Sequence, residues 1–212
     1  MQKLYQSRQS RAYRDGDAAV ATAALGYYSD LQSVHSEDAI TWSLFGPLVY
    51  ASAEVRSRYA ADLLAHIGLA AAPAPANFWL WRRLPHPDSL VPGGPEIDFG
   101  IQTDRVLVLG EAKWRSGVGT GQGVGGAKDQ IQLRAQFCAQ YGASIYPDIE
   151  TFVVLLVGNA MGAITDSWKA LRTERLLIVE STWAELGGLQ SHPWRTEFLA
   201  QLAWRRAHSQ AV

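Results

Sequence analysis

Asp98, Glu111 and Lys113 are the residues of this chain whose types and spacing point to chemistry. They lie in two short stretches, Pro95-Glu96-Ile97-Asp98 and Gly110-Glu111-Ala112-Lys113-Trp114. Side chains alternate along a strand, so a strand over the second stretch sends Glu111 and Lys113 to the same face as Leu107 and Leu109, with Val106, Val108 and Ala112 on the other. If the connection between the two strands holds an even number of residues, Asp98 falls opposite Glu111 or diagonally beside it; an odd one turns them apart. Two carboxylates held together on an apolar sheet repel, and each has its pKa raised unless a cation shares the site. Lys113 supplies one positive charge. The oxygens of Asp98 and Glu111 then suit a hard divalent ion such as Mg2+, which keeps several waters and accepts the rest from one or two carboxylates and a substrate phosphate. Such an ion polarises a phosphoryl oxygen and lowers the pKa of bound water, while Lys113 orients the attacking water and stabilises growing negative charge. That is the outline of a phosphodiester-hydrolysing site.

The elements that must position these residues can be read from hydrophobic period and punctuation. A small-residue helix is expected from Ala18 to Asp30. A second begins at Ser36 as N-cap, carries Glu37 and Asp38 in its first turn, and is ended or kinked at Gly46-Pro47. Val55, Tyr59, Leu63 and Ile67 recur at helical spacing until Pro73 and Pro75 intervene. Phe78-Trp79-Leu80-Trp81 reads as a strand, and a loop rich in proline and glycine follows to Pro95. Glu96 to Gln102 and Arg105 to Trp114 read as two strands joined at Thr103-Asp104, an antiparallel hairpin. Beyond a glycine-rich loop come a helix from Ala127 to Tyr141, a buried strand from Thr151 to Val157, a short helix around Ile164 to Leu171, a strand from Leu176 to Val179, and a C-terminal helix opening at Pro193. This order predicts an α/β fold, a central mixed β-sheet flanked by helices on both faces.

An Asp on one strand, a gap of twelve residues, and Glu-x-Lys on the next strand resembles the PD-(D/E)xK phosphodiesterase superfamily, whose restriction-endonuclease-like core has the order αβββαβ. The resemblance covers roughly Ser36 to Gly158. It implies a nuclease with Asp98 and Glu111 holding Mg2+ or Mn2+, the Ala112 carbonyl joining them, and Lys113 activating water. It also directs attention to a carboxylate on the first helix and a Gln on the helix after the third strand. Glu37 fits the first, since it shares a face with Ile40, Thr41, Leu44 and Phe45. Gln130 fits the second, preceding Leu133, Phe137 and Tyr141 on one face. The Tyr that usually follows four residues later is Arg134 here, a departure from the pattern that suggests a phosphate contact. DNA as substrate, in preference to RNA, rests on the resemblance alone.

Each of these residues has a plainer reading. The three charges can be a structural ion cluster, Glu37 a first-turn acid favoured by the helix dipole with Asp38 its competitor, and Gln130 a side chain bonded to backbone at a helix start. Gly121, Gly123 and Gly126 spell the spacing of a dinucleotide fingerprint. However, six residues separate Trp114 from the first of them, and the acid expected at the end of the next strand is Val157-Gly158-Asn159. A nucleotide-cofactor enzyme therefore ranks last, and a glycine-rich lid over the site suits the loop better. The five histidines lack metal-ligand spacing, and with Cys138 they are read as structural. Arg82, Arg83, Arg115, Lys128 and Arg134 flank the site in sequence and make a local basic rim for nucleic acid. Trp114, and Trp79 or Trp81, are core residues or stack on a base.

With 212 residues, a net charge of −1, 48% apolar and 18% charged residues, the chain is neither a polycation nor disordered. No uncharged run reaches the ~18 residues of a membrane span. The first ten residues show no signal-peptide stretch, and the lone Cys138 cannot form an intrachain disulfide, which points to the cytoplasm. The expected organisation is a basic arm over residues 1–17 and a single domain over 18–212. The arm and the near-neutral charge keep a second reading open. In it the chain is a non-catalytic module of the same fold, binding nucleic acid or assembling as a homodimer or in a larger defence or repair complex.

Overall fold

The computed structural model describes residues 36–69, 72–87, 96–115 and 128–209. The expected arm and the helix over 18–30 lie outside these, as do the glycine loop and most of the proline-rich loop. Helix α1 (Glu37–Val49) starts where expected: the Ser36 hydroxyl accepts the Ala39 N–H at 3.1 Å. It does not stop at Gly46-Pro47 but runs two residues further. Proline removes one backbone bond, and the fully buried Leu44, Phe45 and Leu48 hold the turn around it against the sheet. Helix α2 (Ala53–His66) follows, its Tyr59 and Leu63 buried as the spacing predicts.

Strands β1 (Asn77–Arg83), β2 (Glu96–Gln102), β3 (Val106–Ala112), β4 (Thr151–Gly158) and β5 (Leu176–Thr182) form one sheet in that order. The first three are antiparallel and the last three parallel, so the sheet is mixed as expected. Between β3 and β4 lie α3 (Gln130–Phe137), a π-helical turn (Cys138–Gly142) and the short α4 (Ala143–Ile145). Helix α5 (Asp166–Lys169) separates β4 from β5, and α6 (Trp183–Gly187) and α7 (Arg195–Ser209) close the chain. Helix α6 had no counterpart in the sequence reading; a capping box between Thr182 and Glu185 starts it.

Both faces of the sheet are buried, which is why β4 is a continuous apolar run with no alternation. Phe99, Ile101, Val108, Ala112, Val153 and Val157 pack with α1, α2, α6 and α7, while Leu107, Leu109, Val154 and Leu156 pack with α3. At Trp81 the backbone enters the left-handed region, φ 50°, between the pairs Leu80↔Phe99 and Arg82↔Ile97. Strict alternation would set Trp81 on the face of Trp79; instead its ring stacks on Trp42 of α1, with centroids 5.9 Å apart. Among the described residues no helix is long and apolar enough to cross a membrane.

Candidate active site

The hairpin register decides whether the two carboxylates meet. Gln102 pairs with Leu107 and Phe99 with Gly110, which leaves four residues in the connection, an even number. One step further along the same register Asp98 stands opposite Glu111, on the face of Leu107 and Leu109. Asp98 Oδ2 accepts the backbone N–H of Ala112 at 2.7 Å. Lys113 lies just beyond the last residue of β3, where its own N–H still donates to the Val157 carbonyl at 2.8 Å. Its Nζ sits 2.6 Å from Glu111 Oε1 and 3.1 Å from Glu37 Oε1. The other oxygen of Glu37 accepts the Trp114 N–H at 2.9 Å. Thus β2, β3 and the first turn of α1 bring Asp98, Glu111, Lys113 and Glu37 together, with Lys113 as the bridge.

Arg134 of α3 completes the cluster. Its Nη1 donates to the Gln130 carbonyl at 3.0 Å and its Nη2 to the Glu96 carbonyl at 2.9 Å, and Nη2 also pairs with Glu111 Oε2. The side chains of Arg134 and Glu111 are both 0% exposed. Among the described residues three carboxylates therefore face two cations. Both cations are bound to Glu111 or Glu37, and Asp98 has no ion-pair partner among the described residues. Burial, and then the charge of Glu111, hold the Asp98 carboxyl well above the ordinary carboxylate range, against the pull of Arg134, the Ala112 N–H and Lys113. For Lys113, burial disfavours the charge, but Glu111 and Glu37 outweigh it and raise its pKa.

A divalent ion fits this donor set in its chemistry. Asp98 and Glu111 offer carboxylate oxygens on one face, and among the described residues Asp98 is drawn by the charges of Arg134 and Lys113 but forms an ion pair with neither. Glu37 Oε1 is bound to Lys113 Nζ at 3.1 Å. No group of three or more His, Cys, Asp or Glu gathers as a metal cage among the described residues, and Lys113 Nζ pairs with both Glu37 and Glu111. Ala112 is fully buried and contributes its N–H to Asp98.

Gln130 opens α3 beside the site, but its N-cap is Asp129, whose carboxylate accepts the Gln132 N–H at 2.7 Å in a capping box. Arg134 is not at a nucleic-acid surface as its place in the basic rim implied: it is sealed from solvent and faces Glu111. Trp114 is likewise corrected; at 4% exposure it belongs to the core packed on α1 and is not open to a base. Arg82 is exposed and lies 4.6 Å over the Trp79 ring, Arg83 is exposed and 3.4 Å from Glu96, and Arg115 is exposed. Lys128 is half-buried and bonds Gln136. Cys138 is buried, its thiol pushed up to about 12 by burial first of all, which makes it inert as a nucleophile.

Two residues that sequence reasoning passed over also hold the site. The Trp183 indole N–H donates to the Lys113 carbonyl at 2.9 Å, and the Asn159 amide donates to the Trp114 carbonyl. In the sequence Asn159 reads only as a position that lacks the acid of a dinucleotide site, and Trp183 carries no signal beyond its size. No protein-family model, curated protein or solved structure matches the chain.

Proposed function

We propose that this chain is a metal-dependent phosphodiesterase acting on nucleic acid, with DNA expected from the resemblance of its motif. One observation carries the reading: Asp98 and Glu111 face each other across the hairpin with Lys113 Nζ 2.6 Å from Glu111. Asp98 and one oxygen of Glu111 would hold Mg2+ or Mn2+. Once bound, such an ion polarises a phosphoryl oxygen and lowers the pKa of coordinated water. Lys113 keeps its proton at neutral pH, because Glu111 and Glu37 raise its pKa, and donates from Nζ to the reacting oxygens. Glu37 orients that ammonium, and the β2–β3 pairing fixes the carboxylates before substrate arrives. Arg82, Arg83 and Arg115 are the exposed cations that suit a phosphate backbone.

The test is incubation with supercoiled plasmid, linear duplex, single-stranded DNA and RNA, each with Mg2+, Mn2+ or EDTA. Cleavage by the parent protein and none by Lys113→Met supports the reading; equal cleavage by both, or none by the parent with any substrate, overturns it. A second reading, a non-catalytic module that binds nucleic acid or assembles with a partner, is favoured by the occupation of both Glu111 oxygens by Lys113 and Arg134. Such a module shows no carboxylate-dependent thermal stabilisation by Mg2+, Mn2+ or Ca2+.

A further inference from the structure

We infer that Arg134 is a built-in counter-cation of the acidic cluster, permanently bound to one side of Glu111, so that the site takes one divalent ion and not a pair. The inference deepens the phosphodiesterase reading and rests on it for the presence of an ion at all.

The argument begins with how Arg134 is held. Along α3 and into the π-helical turn, Ile131, Arg134, Ala135 and Cys138 follow the i, i+3, i+4, i+7 spacing of a core-facing stripe, and all four are buried. The guanidinium thus enters the sheet layer from a helix face otherwise apolar. Its two terminal nitrogens are pinned to the carbonyls of Gln130 and Glu96, 3.0 and 2.9 Å away, before the ion pair with Glu111 Oε2 is counted. These bonds fix the planar fork in place, and swinging it out would strand a buried charge and two carbonyls. An incoming metal ion meets a Glu111 whose Oε2 side is already closed.

The charge count agrees. Among the described residues, and with Asp98 ionised, Glu37, Asp98 and Glu111 against Lys113 and Arg134 leave one negative charge in surplus, and Asp98 is the member without an ion pair. A single divalent ion entering from the Asp98 side turns that surplus into one net positive charge. A second would leave a buried site with three uncompensated positive charges, which low-dielectric surroundings oppose strongly.

The experiment is a count of Mn2+ bound per full-length chain, by calorimetric titration and by the magnetic-resonance signal of free Mn2+, without substrate. The parent protein is expected to bind one ion per chain. Arg134→Gln is expected to bind a second ion, or the first about 10-fold more tightly, through loss of one positive charge beside Glu111. Arg134→Lys, which keeps the charge, is expected to stay at one ion with near-parent affinity. Two ions on the parent overturn the inference while leaving the phosphodiesterase reading intact. One ion on a parent that cleaves nothing sustains the inference and sinks the phosphodiesterase reading. Absence of Mn2+ binding overturns the inference, as does unchanged stoichiometry and affinity in Arg134→Gln. Should Arg134→Gln fail to fold by circular dichroism, the parent count and the Arg134→Lys titration decide.

Discussion

Asp98 Oδ2 accepts the Ala112 N–H at 2.7 Å across the hairpin, yet among the described residues no cation stands at ion-pair distance from that carboxylate. The bond fixes the side chain, while the surrounding burial makes its charge costly. A carboxyl whose folded-state pKa is raised binds its proton more tightly folded than unfolded. Its charge is therefore a penalty at neutral pH that fades as pH falls through the folded value and is gone below the unfolded one.

Asp98→Asn keeps an acceptor for Ala112 and removes the penalty. Without metal it is expected to be more stable than the parent at pH 7, with the difference shrinking to nothing near pH 3, below the ordinary carboxylate value. Added Mg2+ should stabilise the parent and leave the variant unmoved. Urea titrations at several pH values, with and without Mg2+, check both; a variant less stable at pH 7 than at pH 3 relative to the parent contradicts the sign.

Lys113→Met breaks both ion pairs of the bridge while preserving the stem. Cleavage is expected to fall by at least ~100-fold, the usual scale for a positioned proton donor or charge. Stability should drop by about 3 kcal/mol, the low end for losing one partner of a buried pair, since the ammonium retains 13% exposure. Plasmid nicking well below the melting midpoint separates the two effects.

Glu37→Gln retains an oxygen for the Trp114 N–H and loses the charge that faces Lys113; Glu37→Ala loses both. The alanine variant is expected to lose ~1–3 kcal/mol and the glutamine variant less. If Glu37 served only as an N-terminal dipole partner, the two variants would be equally destabilised in denaturant titrations.

The connection between β2 and β3 offers a test of register. One residue inserted between Asp104 and Arg105 turns Asp98 and Glu111 to opposite faces or forces a bulge, and activity should vanish. Two residues preserve the facing and should retain activity with a modest loss of stability. Comparable activity in both insertion variants would show that the carboxylate pairing does not matter.

The hairpin was legible because strand period is rigid: once Leu107 and Leu109 are core, Glu111 must share their face, and an even connection brings Asp98 across. Ser36 and Glu37 were legible for the same kind of reason, a cap followed by a helical stripe. Arg134 was not, because Gln130, Leu133 and Phe137 offered a competing stripe, and an arginine in a helix reads as solvated unless its partner on another element is known. Its spacing from Ile131 and Cys138 held the signal. For Trp114 the core and base-stacking readings both stood open, although alternation from Val108 through Ala112 already assigns it to the α1 side. Pro47 misled because a helix already packed on the sheet tolerates one missing bond. The glycine loop and the arm lie outside the described residues.

The three residues Ala112 to Trp114 have consequences for motion. Their amides go to Asp98, to Val157 and to Glu37, and the carbonyls of Lys113 and Trp114 are taken by Trp183 and Asn159. Five residues from four separate parts of the chain thus grip a stretch that leaves the ladder after its first residue. No local fluctuation can free it alone, so these amides should exchange with deuterium only as slowly as those of β4, on the timescale of whole-domain opening. Rigidity of the candidate site and global cooperativity are, in this protein, a single property.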